Sequence, residues 1–229
     1  MQKFNWGGNG ATLGRLARTK IILPVDTEGN PDWIFMEQYV CEFYDKKKTG
    51  YEKYLKKVTS SIDYKTIPKL EEKKWGGVKL CDICDINSGK DIYDKERISG
   101  TTPYITATSS NNGIKYFVSN SNNTLESNAI SVNRNGSVGY AFYHKYEALY
   151  SNDCRKLKLK KHANEFVALF ITNQIMQQKE KYNYGYKMGT ARLKKQYIML
   201  PLDNNGDPDF EYMEQYIKNM MITKYQQYR

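Results

Sequence analysis

The sequence predicts an α+β fold, in which a mostly β module with a few helices is flanked by two long helices of coiled-coil type. Between residues 75 and 207, short apolar runs alternate with turn-forming residues such as Asn112-Gly113, a pattern typical of antiparallel strands. Within this module only the segment that starts at Asn164 has helical periodicity, and Asn164 is its predicted N-cap. The flanking helices come from a stretch of sequence that occurs twice.

The first copy of this stretch reads RLARTKIILPVDTEGNPDWIFMEQYV, and the second reads RLKKQYIMLPLDNNGDPDFEYMEQYI. Arg15 corresponds to Arg192 and Val40 to Ile217, so the offset is a constant 177 residues, and half of the aligned positions are identical. The chain is therefore interpreted as the tail of a module, a helix, a complete module and a second helix.

Each copy predicts a short buried strand, a turn and a helix. The apolar runs Ile21–Leu23 and Ile198–Leu200 predict the strands, and each strand is stopped by the proline that follows. Asn30 and Asp207 are the predicted helix N-caps, with a proline at the first helical position and an aspartate in the first turn.

Apolar residues in both helices follow alternating steps of three and four, which is coiled-coil spacing. A helix of this kind can pack on its own domain, but the duplication favours packing of the two copies on each other or on a partner. The predicted packing residues are Trp33, Met36, Val40 and Phe43 in the first helix, and Phe210, Met213, Ile217 and Met220 in the second.

These patterns divide the chain into five segments. They are a tail strand and turn at residues 1–30, a first helix at 31–60, a polar linker at 61–74, the complete module at 75–207 and a truncated second helix at 208–229. Inside the module, strands are predicted at Tyr104–Ala107, at Ile114–Val118 and on both sides of a turn at residues 133–136. The alternation in Lys156–Leu159 predicts a further strand.

Composition favours a polyanionic partner. The chain has 35 basic and 25 acidic residues, a formal net charge of +10, and 40% hydrophobic residues. Nucleic acid fits this balance, although Lys, Asn, Tyr and Ile are also enriched when codons are AT-rich, so charge alone does not define a site. No long apolar run or apolar signal core is present, and we expect a cytoplasmic protein without membrane contact.

No catalytic site, cofactor site or metal site is predicted. His144 and His162 have no nucleophile motif beside them and are interpreted as structural. Phosphate-binding loops of the G-x-x-x-x-G-K-[ST] and G-x-G-x-x-G types are missing from the sequence. The pair Cys81 and Cys84 lacks the second pair or nearby histidine that a zinc site requires.

Polar loops are the predicted functional residues, since Asn, Arg, Ser and Thr can hydrogen-bond base edges while Lys and Arg contact phosphates. A solvated loop is the alternative for any one of them. The predicted DNA-binding residues are Thr106, Thr108, Ser109, Asn111 and Asn112 in one turn, Asn133, Arg134, Asn135 and Ser137 in a second, and Tyr184, Tyr186, Lys187, Arg192, Lys194 and Lys195 near the end of the module.

Four stretches resemble the specificity subunit of type I restriction–modification systems: GTARLKKQYIMLP, GDPDFEYMEQYI, PYITATSSNNGI and SVNRNGSVGYAFYH. The resemblance implies two target recognition domains, each followed by a long helix, with the helices paired antiparallel as a spacer. Each domain would read half of a split site in double-stranded DNA. It also implies no catalysis by this subunit: methyltransferase subunits bind it and modify adenine with S-adenosylmethionine, and restriction subunits can add ATP-driven cleavage.

This chain departs from that pattern, because it has one complete recognition domain and only the tail of another. It is either a fragment or a half-subunit, and a half-subunit would act as a homodimer through the spacer helices. Recognition loops vary with the target, so the resemblance assigns no base contacts. A fragment of a DNA-modifying enzyme and an interaction module that does not bind DNA remain the alternatives.

Overall fold

A computed structural model describes residues 10–183 and 185–227 of the chain, which divides into two compact units, Met1–Ser60 and Ser61–Arg229. The start of the predicted tail segment (residues 1–9), Tyr184 and the end of the predicted second helix (residues 228–229) lie outside the described residues. Each unit is treated separately below.

The described part of the first unit contains two helices, α1 at Leu13–Ala17 and α2 at Trp33–Thr59. An isolated bridge between Val25 and Pro31 closes the turn that separates them. Helix α2 begins at Trp33 because the Asp32 carboxylate accepts a hydrogen bond from the backbone N–H of Phe35 at 2.8 Å.

Nine strands build the described part of the second unit. They are β1 at Trp75–Lys79, β2 at Cys84–Ser88, β3 at Ser99–Ile105, β4 at Ile114–Val118, β5 at Ala129–Asn133, β6 at Ala141–His144, β7 at Leu149–Tyr150, β8 at Cys154–Leu159 and β9 at Tyr197–Pro201. The sheet orders are β1-β9, β2-β8-β5-β6 and β4-β3-β7. Every pairing is antiparallel except that of β3 with β7.

Four α-helices and several short 3-10 turns complete the described part of this unit, with α3 at Leu80–Ile83, α4 at Glu165–Met176, α5 at Thr190–Lys195 and α6 at Phe210–Gln227. The predicted cap at Asn164 is confirmed, since its side chain accepts hydrogen bonds from the N–H groups of Phe166 and Val167, both at 3.0 Å. Helix α4 buries Phe170 and Ile171 in a core that the sheets and α6 also line. The predicted α+β class is confirmed.

The turn before each long helix has the same structure in both copies. The Asp26 carboxylate accepts hydrogen bonds from the N–H groups of residues 28 and 30, and the Asp203 carboxylate accepts them from residues 205 and 207. Gly29 and Gly206 have φ values of 83° and 85°, a left-handed conformation that favours glycine. The sequence repeat is therefore also a local structural repeat.

The predicted helix caps were wrong by two residues. Asp32 and Asp209 are the capping side chains, and Asp209 accepts a hydrogen bond from the N–H of Tyr212 at 3.0 Å. Asn30 and Asp207 precede the helices because the next residue, a proline in both copies, is held extended in a bridge with residue 25 or 202. That bridge delays the start of each helix.

The predicted strand at Ile21–Leu23 does not form, whereas its counterpart in the second copy is β9. Ile198 and Leu200 are fully buried because β9 pairs with β1. Ile21 and Ile22 are exposed, and among the described residues of the first unit no strand is available to pair with them. The alternation in β8 is also imperfect: Lys156 is buried, with its amino group 3.2 Å from the Glu126 carboxylate.

Residues 61–74, which were predicted to be a linker, lie along α6. The backbone of Lys65 exchanges hydrogen bonds with the side chain of Asn219 at 3.1 and 2.7 Å. The hydroxyl of Tyr212 donates to the carbonyl of Pro68 at 2.9 Å. No helix in the described part of the chain combines the length and apolar composition that a bilayer crossing requires.

The duplication provides a matched pair of variants. Leu193 is 0% exposed and its counterpart Leu16 is 49% exposed. We expect Leu193→Ala to lower the free energy of unfolding of the second unit by about 2–5 kcal/mol, because it leaves a cavity in the core. Leu16→Ala should change stability by less than about 0.5 kcal/mol. Denaturant unfolding checks both values, and equal losses in the two variants would contradict the fold.

Candidate nucleic-acid interface

The hairpin of β3 and β4 presents the first predicted loop. Asn111 and Asn112 have φ values of 51° and 55°, so the chain turns through left-handed residues just before β4. The N–H of Thr106 donates to the carbonyl of Gly113 at 2.9 Å and closes the base of the loop. Ser109, Asn111 and Asn112 are exposed at its tip.

A buried histidine supports this tip. The His144 ring lies 2.8 Å from the Ser131 hydroxyl and 3.2 Å from the Tyr146 hydroxyl, which accepts a hydrogen bond from the Asn112 amide at 3.2 Å. Burial lowers the pKa of His144 to about 4, so the ring is neutral near pH 7. The structural interpretation of His144 fits this network, which orients Asn112.

The second predicted loop, between β5 and β6, is joined to the first through their backbones. The N–H of Ser137 donates to the carbonyl of Ala107 at 3.1 Å. Gly136 has a φ of 55°, and a Cβ atom at this position would lie 2.5 Å from the same carbonyl oxygen. Only glycine fits this close approach, so the sequence at residue 136 sets the distance between the loops.

Asn133 joins the two loops and exposes no polar group to which a base could bond. Its side chain is fully buried, donates to the carbonyl of Thr108 at 2.9 Å and accepts from the thiol of Cys154 at 3.5 Å. The prediction that Asn133 contacts DNA is therefore corrected. An Asn in a turn suggested an exposed amide, but Asn133 is the last residue of β5 and faces inward.

Arg134 and Asn135 are anchored to Asp153. The N–H groups of both residues donate to its carbonyl, at 2.8 and 3.4 Å, and the Asn135 amide donates to its carboxylate. The Asn135 side-chain oxygen is buried without a partner among the described residues. Arg134 remains half-exposed. The pKa of Arg155 is lowered, first because Arg155 is itself partly buried and then because the Arg134 charge lies nearby. Of this pair, Arg134 has the freer side chain for recognition.

The two loops border a cleft of about 580 Å³. Thr106, Thr108, Asn111 and Gly136 line it from the predicted loops. Another wall comes from residues 91–94 and Arg97, which sequence reasoning did not select. Arg97 lies in this wall with its guanidinium carbon 4.0 Å from the centre of the Tyr116 ring. No pattern in the sequence brings residue 97 to the loops, because that proximity depends on strand pairing.

The third predicted group lies around α5, and none of its described members lines the cleft. Tyr186 stacks on Tyr182 with ring centres 5.6 Å apart, and the Arg192 guanidinium covers Tyr186 at 4.0 Å. Arg192 also donates to the carbonyl of Lys187 at 2.6 Å, as its counterpart Arg15 donates to Gly10 at 3.0 Å. The repeated arginine therefore fastens the turn before each short helix.

Two lysines of this third group are exposed, so they are accessible to a DNA phosphate. Lys194 and Lys195 are exposed, and Lys194 lines a separate groove with Lys160 and Asp85. The predicted DNA contacts of Tyr186, Lys187, Arg192, Lys194 and Lys195 stay predictions. Among the described residues, no cluster of His, Cys, Asp and Glu is arranged to hold a metal ion.

The predicted helix-packing residues behave differently in the two copies. Met213 is fully buried in its own domain, so it is not available to a partner helix, and Phe210 and Ile217 pack against the same core. Met220 is exposed, as are Trp33, Val40 and Phe43 in α2, while Met36 is half-exposed. Packing on a partner helix stays a prediction for the exposed residues. It is withdrawn for Met213, which is buried in its own domain.

Comparison with known proteins points to one family. Residues 72–228 match the family model described as "Type I restriction modification DNA specificity domain". The specificity subunit of a Type II restriction enzyme from Heyndrickxia coagulans is 39% identical over 207 residues, which span 90% of this chain and 59% of that protein. This chain therefore covers less than two thirds of that relative.

A solved structure has a related fold. The S subunit of a type I restriction–modification system from M. genitalium has a TM-score of 0.51 and 20% sequence identity to this chain. The match covers 69% of this chain and 41% of the other. The likeness supports the mixed architecture of helices and antiparallel sheets.

The junction between the loops gives a stability test. Asn133→Ala should lower the free energy of unfolding by about 1–3 kcal/mol, because the Thr108 carbonyl loses its buried donor. The control Ser109→Ala removes an exposed hydroxyl from the same loop and should cost less than about 0.5 kcal/mol. Denaturant unfolding measures both, and an Asn133→Ala variant as stable as the control would show that the two loops are not joined as described.

His144 predicts a pH dependence of stability. In the unfolded chain this histidine takes up a proton near its ordinary pKa of 6.5, but in the folded chain only near 4. The unfolded state binds more protons in that window, so stability should fall by on the order of 3 kcal/mol as the pH is lowered through it. His144→Gln should flatten this part of the unfolding free-energy profile, and an unchanged slope would contradict a buried neutral ring.

Proposed function

The chain belongs to the family of type I restriction modification DNA specificity domains, and from this premise we propose that it is the DNA-recognising subunit of a restriction–modification complex. This membership confirms the resemblance noted in the sequence. One observation carries the proposal: the residues that match a family of DNA specificity domains are those that fold into the unit with two joined polar loops. The proposal assigns sequence reading to these loops.

Hydrogen-bond chemistry at the loop tips supports base recognition. Ser109 and Asn111 present exposed donors and acceptors on the first loop, and Arg134 presents a guanidinium beside the second. Asn pairs in two places with adenine, Arg does so with guanine, and Ser bonds either base. Because the loops are fixed to each other, these groups keep a set spacing. A fixed spacing of donors and acceptors is what discrimination between base sequences requires.

Net charge supports contact with the DNA backbone. The formal charge of +10 favours association with a polyanion, and exposed lysines around α5 are suited to phosphates. Phosphate contacts position a protein on the duplex without reading sequence, whereas the loops contribute the base contacts. In the proposal, the α5 group therefore adds affinity and the two joined loops add specificity.

Catalysis is assigned to partner subunits. We expect the chain to act in the cytoplasm without catalysis of its own, binding a methyltransferase subunit that modifies adenine with S-adenosylmethionine. A restriction subunit is a further possible partner. The family description names type I systems, whereas the curated relative serves a Type II restriction enzyme. The proposal covers both, since each is described with a separate specificity component.

The duplicated stretch supports the proposed domain organisation. Residues 75–207 form the proposed recognition domain, preceded by residues 61–74 and followed by the second spacer helix at 208–229. Residues 1–30 are proposed to close another recognition domain, and 31–60 to be the first spacer helix. Leu16 and Ile21 are exposed, yet their counterparts Leu193 and Ile198 are fully buried by neighbours that include β1. In the proposal, another recognition domain covers the first set in the same way.

Helix α2 is the proposed dimer contact. Its exposed Trp33, Val40 and Phe43 follow the coiled-coil spacing, and apolar side chains in that pattern are stabilised by a partner helix. Antiparallel pairing with a second copy of the chain would place two recognition domains about a twofold axis. Such a dimer would read two identical half-sites.

DNA recognition predicts two separable effects in the complex of the full chain with its methyltransferase subunit. Affinity for random duplexes should fall steeply between 50 and 200 mM salt, with a log–log slope of about −0.9 per phosphate contact. Arg134→Gln should enlarge the set of adenines methylated in chromosomal DNA while changing random-duplex affinity by less than about threefold. Fluorescence anisotropy and genome-wide methylation mapping measure the two effects.

The control is Lys53→Gln, which makes the same charge change on the exposed surface of α2 and should leave the methylated sites unchanged. Absence of duplex binding at low salt would favour an interaction module that does not bind DNA. Methyl transfer by the purified chain alone would contradict the assignment of catalysis to partners. If Arg134→Gln lowers DNA affinity equally for all sequences, Arg134 does not contact a base.

A further inference from the structure

We propose that Arg97, which lines the same cleft as the two loops, reads the edge of a guanine in the target duplex. The proposal rests on the function proposed above and names one of the bases that the site recognises. It adds a residue that lies outside both predicted loops. Four observations support it: the position of Arg97, its fixed geometry, the charge around it and the other bonds that hold its segment.

The guanidinium is accessible from the cleft. Arg97 lines the same cleft as Thr106, Thr108 and Asn111, and its side chain is 21% exposed. A base edge contacted by those loop residues would therefore lie within the cleft that Arg97 borders. Arginine is the side chain most suited to guanine, because its planar N–H groups match the O6 and N7 acceptors.

Three contacts fix the orientation of this side chain. Its Nε donates to the carbonyl of Ile92 at 3.1 Å, and its Nη1 lies 2.5 Å from the Asp94 carboxylate. The ring of Tyr116 supports the guanidinium face at 4.0 Å. Nη2 has no partner among the described residues. A guanidinium held this way loses little conformational freedom on binding and keeps donors for one base.

The charge around Arg97 favours a base over a phosphate. Asp94 pairs with the guanidinium directly, and Asp91, Asp153 and Lys115 also line the cleft. The three carboxylates outnumber the two cations, Arg97 and Lys115, so this cleft has a small excess of negative charge that disfavours a phosphate, although the chain as a whole is strongly basic. Guanine O6 and N7 are neutral acceptors and do not meet that repulsion. Arg97 is therefore suited to directional hydrogen bonding more than to charge neutralisation.

A purely structural role for Arg97 is less well supported, because other bonds already fasten its segment. The N–H of Ile98 donates to the Asn120 side chain at 2.9 Å, and that side chain donates back to the carbonyl of Glu96 at 2.8 Å. At the other end of the segment, the N–H of Ile92 donates to the Tyr104 hydroxyl at 2.9 Å. The segment is held at both ends without the guanidinium.

The test is selection from a pool of random duplexes by the full chain in complex with its methyltransferase subunit. Arg97→Lys keeps the positive charge but loses the planar fork. We expect the wild-type complex to enrich a motif with a G·C pair at which Arg97→Lys loses discrimination, on the order of 5- to 150-fold. Preferences at the other positions, the salt slope and the melting temperature should be preserved.

The matched control is Lys95→Gln, an exposed basic residue in the same turn that does not line the cleft, and it should enrich the wild-type motif. An unchanged motif in Arg97→Lys overturns the proposal. The proposal is also overturned if Arg97→Lys loses DNA affinity equally for all sequences and its salt slope falls by about one, since those two effects indicate a phosphate contact.

Failure of the proposed function is distinguishable from failure of this inference. If the wild-type complex enriches no motif, the recognition function itself is wrong. If Arg97→Lys melts below the wild type, Asp94→Asn serves as the second variant, because it leaves the arginine and its stacking ring in place. Asp94→Asn should weaken discrimination at the same G·C pair, and an unaltered preference there overturns the role of Arg97.

Discussion

The proposed DNA interface depends on the contact between two hairpin loops. The Asn133 amide donates to the carbonyl of Thr108, and the Ser137 N–H donates to the carbonyl of Ala107, at 2.9 and 3.1 Å. Because Gly136 lacks a Cβ atom, the loops approach closely enough to form both bonds. Without these bonds, the distance between the two loops would change as each loop moves. Joined loops present one rigid set of donors and acceptors, which is the condition for distinguishing base sequences.

The pairing of β1 with β9 has a comparable role for the whole chain. The same stretch of sequence occurs twice, but only the second copy has a strand beside it within the described residues. There Leu193, Ile198 and Leu200 enter the core, and the copy becomes part of a domain. Leu16 and Ile21 stay exposed in the first copy. Partner strands, rather than local sequence, therefore decide what the repeat becomes.

The fold class, strand β4 and the cap at Asn164 were predictable from local signals, because turn chemistry, β patterning and capping act over a few residues. The repeat was equally visible, and both copies form the predicted turn, in which the Asp26 or Asp203 carboxylate accepts the backbone hydrogen bonds. Helix starts were misplaced by two residues because the bridges that hold Pro31 and Pro208 extended form between residues that local capping rules do not connect.

The candidate site was less predictable, since it forms from segments distant in sequence. Exposed Ser109 and Asn111 fit their predicted placement, but Asn133 is turned into the core, where it bonds a carbonyl 25 residues away. Arg97 was missed because its approach to Tyr116 depends on the registry of β3 and β4 and on the path of residues 91–98. Composition and turn type contain no information about such contacts.

Hydrogen–deuterium exchange gives the most direct test of recognition by the two joined loops. The full chain with its methyltransferase subunit would be compared with and without a duplex that contains a site it methylates, and with a duplex that lacks the site. We expect slower exchange at residues 106–113 and 133–137 only with the duplex that contains the target site. Protection confined to other surfaces, with both loops unchanged, would contradict the assignment of sequence reading to these loops.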